Sequence, residues 1–137
     1  MAAPSPSSSH RPARWALVAA VAGAILVASL VPAGSGIGRL GPLGLLRRDL
    51  WLHGGAYLVL QLALSYAVLG ERGTPAIPLA ATPVLTLAYG LFVEGLQALV
   101  AYRSFSTADL VANTVGVLLA VACVLLGRWV FSGRTGP

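Results

Sequence analysis

Charge is scarce in this chain. Only 9% of its 137 residues are charged, lysine is missing altogether, and the acids are four: Asp49, Glu71, Glu94 and Asp109. So little charge beside 57% hydrophobic residues excludes an ordinary soluble domain and describes a membrane protein. Cysteine is nearly absent too. Cys123 stands alone, which excludes an intramolecular disulfide and a cysteine-built zinc site, and it reads as a small packing residue buried in an apolar stretch. The nine arginines bring the net charge to +5. They form no basic stripe with interleaved aromatics, so nucleic acid is not an expected partner; arginines near helix ends suit lipid headgroups instead. The missing lysine reflects genomic base composition. HExxH, Gly-x-Ser-x-Gly and a phosphate-cradling glycine-rich loop are also missing, and with them the common short signatures of catalysis.

What the chain has is apolar length. Windows of roughly 20 apolar residues, enough to cross a bilayer, recur four times: 15–31, 50–69, 77–101 and 110–131. The first follows Arg11 and Arg14 and could be taken for a signal peptide, but its apolar run is about 17 residues and the context around Pro32 is a poor cleavage site. It is read as a retained helix. The Gly/Pro-rich stretch 32–44 cannot continue a helix, and short turns are expected at 71–75 and 102–106. Pro78 and Pro83 fall in the first turns of the third helix, where proline is tolerated. The expected fold is therefore all-α, an integral membrane bundle of four transmembrane helices with antiparallel neighbours. A disordered Pro/Ser-rich tail is expected over 1–13, the membrane domain over 14–131 and a short tail over 132–137.

Alternating crossings bring three polar segments to one end of such a bundle. Asp49 and His53 begin the second helix there, Glu94 and Gln97 lie toward the end of the third, Arg103 occupies the turn, and Asp109 and Asn113 begin the fourth. Arginine counts do not orient the protein: with the amino terminus inside, five arginines lie within and four outside.

Each polar residue has a plain structural alternative. Asp49 could cap its helix, and His53 could bond to backbone. Tyr57 and Gln61 continue their stripe at i+4 and suit packing or interhelical hydrogen bonds. Ser106-Thr-Ala-Asp109 has capping-box spacing, so Asp109 could serve only to start a helix. Asn113 and Gly116, like Gly54 and Gly55, suit close helix approach. Arg103 could anchor to headgroups or pair with Glu94 or Asp109. Glu94 is different. It is expected mid-helix, about 10 Å from the helix end, where it caps nothing and a carboxyl group costs at least about 2.5 kcal/mol.

The series Asp49-x3-His53-x3-Tyr57, then Glu94-x2-Gln97-x5-Arg103-x5-Asp109-x3-Asn113-x2-Gly116, resembles the VanZ-like family of small integral membrane proteins. The resemblance covers 49–119, about half the chain. Ala101-Tyr102 departs from the Pro-Gly that the family often has before the arginine. The resemblance implies a membrane protein with a connection to resistance against the glycopeptide teicoplanin, from which the family is named. It implies no enzyme.

Three functions remain open. The first is binding of an amphiphile, lipid headgroup or glycopeptide-type ligand by Asp49, His53, Glu94, Gln97, Arg103, Asp109 and Asn113. On this reading no metal or cofactor is needed, and the partners are the bilayer and a lipid-linked or amphiphilic ligand. The second is a hydrolase or transferase acting on a lipid-linked phosphate, with His53 and a carboxylate as base and acid, or with Asp49, His53, Glu94 and Asp109 holding a divalent metal. The third is a purely structural polar network or a small proton pathway, which would require an oligomer to conduct. The expected location is the cell membrane, multi-pass, with both termini on the cytoplasmic side; the polar end then faces outward.

Overall fold

The computed structural model describes residues 10–32, 40–71 and 77–132, and among these every regular element is helical. Four long helices run in order: α1 (His10–Leu30), α2 (Arg48–Leu69), α3 (Thr82–Gln97) and α4 (Thr107–Ser132). All four are long and apolar enough to cross a membrane, counting the one-turn 3-10 helix Leu79–Ala81 that leads into α3. Residues 1–9 of the expected tail, most of the 32–44 connection, residues 72–75 of the second turn and the end of the chain after Ser132 lie outside the described residues. Helix α1 already starts at His10, inside the segment read as tail.

The third crossing is shorter than its apolar run. Pro78 is extended and caps the 3-10 turn, Pro83 falls in the first turn of α3 where no N–H is required, and the Thr82 hydroxyl donates to Leu79 O at 2.8 Å. At the other end α3 stops at Gln97 and the chain turns through Ala98 to Tyr102. Glu94 is therefore in the last turn of its helix, not in the middle as expected from the run's length.

Helices α2 and α4 form the closest pair, and α1 and α3 pack mainly onto them. The approach depends on glycine: a Cβ on Gly116 would overlap the carbonyl oxygen of Gly54. With the backbones so near, α4 presents a narrow inward stripe of Asn113, Gly116, Val117 and Ala120. Cys123 falls off that stripe and is exposed on the outer face, which corrects its reading as a buried packing residue.

The interior is small and rich in polar groups. Tyr57, Leu60, Val117 and Ile25 form the apolar core, while Leu118, Leu125, Leu126 and Trp129 point outward. Lipid solvates such apolar side chains, so the inside of a membrane bundle is free to hold hydrogen-bonding residues instead. Gln61 does so: its amide nitrogen donates to Ser65 Oγ and Thr82 Oγ1 at 3.0 and 2.8 Å, and its oxygen accepts from Thr86 Oγ1 at 2.8 Å. That network joins α2 to α3 far from the candidate site and bears out the interhelical role expected of Gln61.

The two ends of the bundle differ. At one end Glu71 accepts from Arg11 and from the Trp15 indole, and the Arg14 guanidinium stacks on Tyr66. At the other, the α3–α4 turn meets the carboxyl end of α1, so the alternating arrangement holds and the expected polar residues share one end.

Candidate functional site

Three groupings account for the seven candidate residues, and His53 is central to the first. It is half-buried on α2, with Nδ1 at 3.3 Å from Asn113 Oδ1 and 3.9 Å from Glu94 Oε1, and Nε2 at 3.7 Å from Asp109 Oδ2. Three helices thus bring one imidazole, two carboxylates and one amide together. His53, Glu94 and Asp109 each offer a ligand atom, and those atoms lie within 4.8 Å of one another.

The local structure explains why both carboxylates face the imidazole. Ser106 precedes the first residue of α4, and its hydroxyl accepts the N–H of Asp109 at 3.2 Å, as an N-cap does. In a full capping box the Asp109 side chain would accept the N–H of Ser106 in return. Here Glu94 Oε2 takes that N–H, at 3.1 Å from across the turn. Two expectations change. Asp109 is not the cap of α4, because Ser106 is, and Glu94 does not stand apart from capping, because it completes the box. Its other oxygen, Oε1, is buried without a hydrogen-bond partner.

The second grouping is a latch on α1. Gln97 Nε2 donates to Ser29 O at 3.0 Å, the Tyr102 hydroxyl to Leu30 O at 2.6 Å and Arg103 to Val31 O at 2.7 Å. These carbonyls belong to the last turn of α1 and the residue beyond it, where carbonyls lack helical partners and positive charge is favoured. Arg103 makes no ion pair with Glu94 or Asp109 among the described residues, contrary to the counter-ion role considered for it. Tyr102 is a latch residue that the motif spacing does not include, and only its place beside Arg103 hints at it.

Asp49 forms the third. Buried at the start of α2, it accepts the N–H of Leu50 at 2.9 Å and a bidentate pair of bonds from Arg47. Hydrogen bonding and the adjacent negative charge of Asp49 push the Arg47 guanidinium further up from its ordinary value. Arg47 is thus a second site-end arginine that the motif spacing did not include.

A cavity of about 550 Å³ adjoins the first two groupings. Its walls are apolar side chains of α1 and α2, among them Val21, Ala24, Ile25, Ala28, Ala56 and Val59; Ser29, Asp49, His53, Gln97 and Arg103 give it a polar end. Trp51, Leu52 and Val59 line it and are exposed, so it opens on the outside of the bundle. Glu94, Asp109 and Asn113 lie outside its lining, and His53 stands between cluster and cavity.

A family model described as VanZ/LLP1 matches residues 24–128, most of the chain and the whole of this polar end. No curated protein and no solved structure matches the chain.

Proposed function

The chain belongs to the VanZ-like family of multi-pass membrane proteins, and from that premise we propose that it binds an anionic amphiphile in the cavity between α1 and α2. The cavity itself carries the reading. An acyl or prenyl chain would lie along its apolar walls, open toward lipid, while the head reaches Arg103, Gln97 and His53. Arg103 Nε and Gln97 Oε1 are buried without hydrogen-bond partners, leaving one donor and one acceptor at the polar end. A guanidinium favours a phosphate or carboxylate through charge-assisted hydrogen bonds. Asp49, already neutralised by Arg47, helps to shape this end and leaves Arg103 as the recognising charge.

The proposed location is the cell membrane with both termini cytoplasmic and the polar end outward, where a role in glycopeptide resistance would place it. Reporter fusions at either terminus test the orientation.

Photo-crosslinking tests the binding. Full-length protein in nanodiscs containing a photoreactive phosphatidylglycerol should be labelled on peptides of α1 and α2. Ala56→Phe, which fills the cavity, should lower labelling severalfold, and so should Arg103→Ala. Ala88→Phe, on the exposed face of α3, should not. Equal labelling of all four proteins would sink the reading. Teicoplanin susceptibility of a host expressing wild type or Arg103→Ala tests the resistance connection.

A lipid-directed hydrolase is the second reading, favoured by one observation: His53 both lines the cavity and faces Asp109 at 3.7 Å, as a general base and its orienting carboxylate would. Phosphate release from undecaprenyl diphosphate by wild type but not by His53→Gln would support it, and absence of release would remove it.

A further inference from the structure

We infer that His53, Glu94 and Asp109 form a binding site for a divalent transition-metal cation. This goes beyond the amphiphile reading and does not rest on it, because two of the three ligands lie outside the cavity lining.

Charge balance is the first reason. Of the four acidic side chains, Asp49 is paired with Arg47 and Glu71 with Arg11. Glu94 and Asp109 make no ion pair with an arginine among the described residues: Arg103, whose charge acts on Glu94, holds its guanidinium on Val31 O. Two carboxylates thus converge on a single imidazole within an apolar segment, where unpaired charge is costly.

Hydrogen bonding is the second. Asn113 Oδ1 lies 3.3 Å from His53 Nδ1 and accepts from it in the tautomer that carries its proton there. In the neutral ring Nε2 then carries a lone pair, directed toward the Asp109 carboxylate at 3.7 Å. Lone pair against carboxylate is repulsive unless a proton or a metal cation lies between them. Glu94 repeats the pattern: its carboxylate is wholly buried, Oε2 is satisfied by Ser106, and Oε1 has no donor. A cation held by one ring nitrogen of His53 and by both carboxylates, whose ligand atoms lie within 4.8 Å of one another, would give Glu94 Oε1 the partner it lacks. Asn113 would then orient the imidazole from behind, as partners of metal-bound histidines do.

Spacing is the third. Metal–ligand bonds of about 2.0–2.2 Å hold neighbouring ligand atoms about 3–4 Å apart. The 3.7 Å separation falls in that range, and the 4.8 Å limit on the set requires only a small contraction. The side chains of His53 and Asp109 are each 16% exposed, which provides an entry route from the polar end. An imidazole with two carboxylates favours zinc or manganese over magnesium or calcium, which prefer oxygen alone.

The test uses full-length protein in detergent, stripped with a chelator and titrated calorimetrically with zinc, manganese and magnesium chlorides. Zinc or manganese should bind at about one equivalent, and magnesium about tenfold or more weaker. Asp109→Asn and Glu94→Gln should each weaken zinc or manganese binding about tenfold or more; Glu71→Gln, at the opposite end, should not. Both site variants keep their local bonds, since glutamine still accepts from Ser106 and the Asp109 N–H is backbone. Thermal melting gives a second readout: the metal should raise the midpoint of wild type and of Glu71→Gln, and raise that of both site variants by less at the same metal concentration. X-ray absorption of the loaded protein should show one imidazole among oxygen ligands. No binding by stripped wild type, equal binding by a Glu94→Gln/Asp109→Asn double variant, or a spectrum without imidazole each overturns the inference.

Discussion

Glu94 Oε2 accepts the backbone N–H of Ser106 at 3.1 Å, across the turn that joins α3 to α4. This bond replaces the one Asp109 would have made in its own capping box. It has two effects: the start of α4 is fastened to the end of α3, and the Asp109 carboxylate is released toward His53.

The bond predicts a difference between two substitutions at the same position. Glu94→Gln keeps an acceptor for Ser106 and should melt within about 1 kcal/mol of wild type. Glu94→Ala leaves the part-buried Ser106 N–H without a partner, a loss of about 1–3 kcal/mol. Thermal or denaturant unfolding in one detergent checks the order; equal losses would show that Ser106 does not depend on Glu94.

Ser106 itself should behave as an N-cap. Ser106→Ala should cost about 1 kcal/mol, and Ser106→Gly only a few tenths. The same unfolding measurements read it, and hydrogen exchange should rise first in residues 107–110.

Gly116 tests the packing of α2 on α4. A methyl group there meets the Gly54 carbonyl, so Gly116→Ala should destabilise by about 1–3 kcal/mol through forced separation of the helices. Gly127→Ala, on the same helix with open space around it, should be neutral or slightly stabilising. Melting of the two variants side by side separates packing from helix propensity.

The Gln61 network should be worth less than its four buried side chains suggest. Hydrogen bonds between membrane helices average about 0.6 kcal/mol and reach about 1.7. Gln61→Leu and Thr86→Val should each cost about that range, and the double variant less than their sum because both remove the same bond. A double-mutant cycle measures the coupling.

Arg103 should control the end of α1. Arg103→Ala removes its donor to Val31 O and the charge beside the helix terminus, so hydrogen exchange should rise over residues 27–31. Arg103→Lys should restore part of the protection, since it keeps the charge but not the guanidinium fork. Unchanged exchange in the alanine variant would leave Gln97 and Tyr102 as the whole latch.

The sequence by itself determined the membrane class, the four crossings and the common end of the polar residues. Each follows from a one-dimensional property: apolar length must match bilayer thickness, and alternate crossings must return to the same side. It also marked Glu94, because a carboxyl group in an apolar run is costly wherever it points. Only the tertiary structure decided which polar residues meet. Arg103 and Glu94 are close in sequence, yet the guanidinium goes to α1 while the carboxylate goes to Ser106. Capping-box spacing identified Ser106 and Asp109, but only the packing of α3 on α4 substituted Glu94 as the reciprocal acceptor. Nor does local spacing reveal the unsatisfied carbonyls at the end of α1, which draw Gln97, Tyr102 and Arg103 away from the cluster. The close Gly54–Gly116 crossing makes the final selection, bringing His53 within reach of Asp109 and Asn113. Hydrogen-bond partners are chosen by distance across helices, and a linear pattern carries no record of that distance.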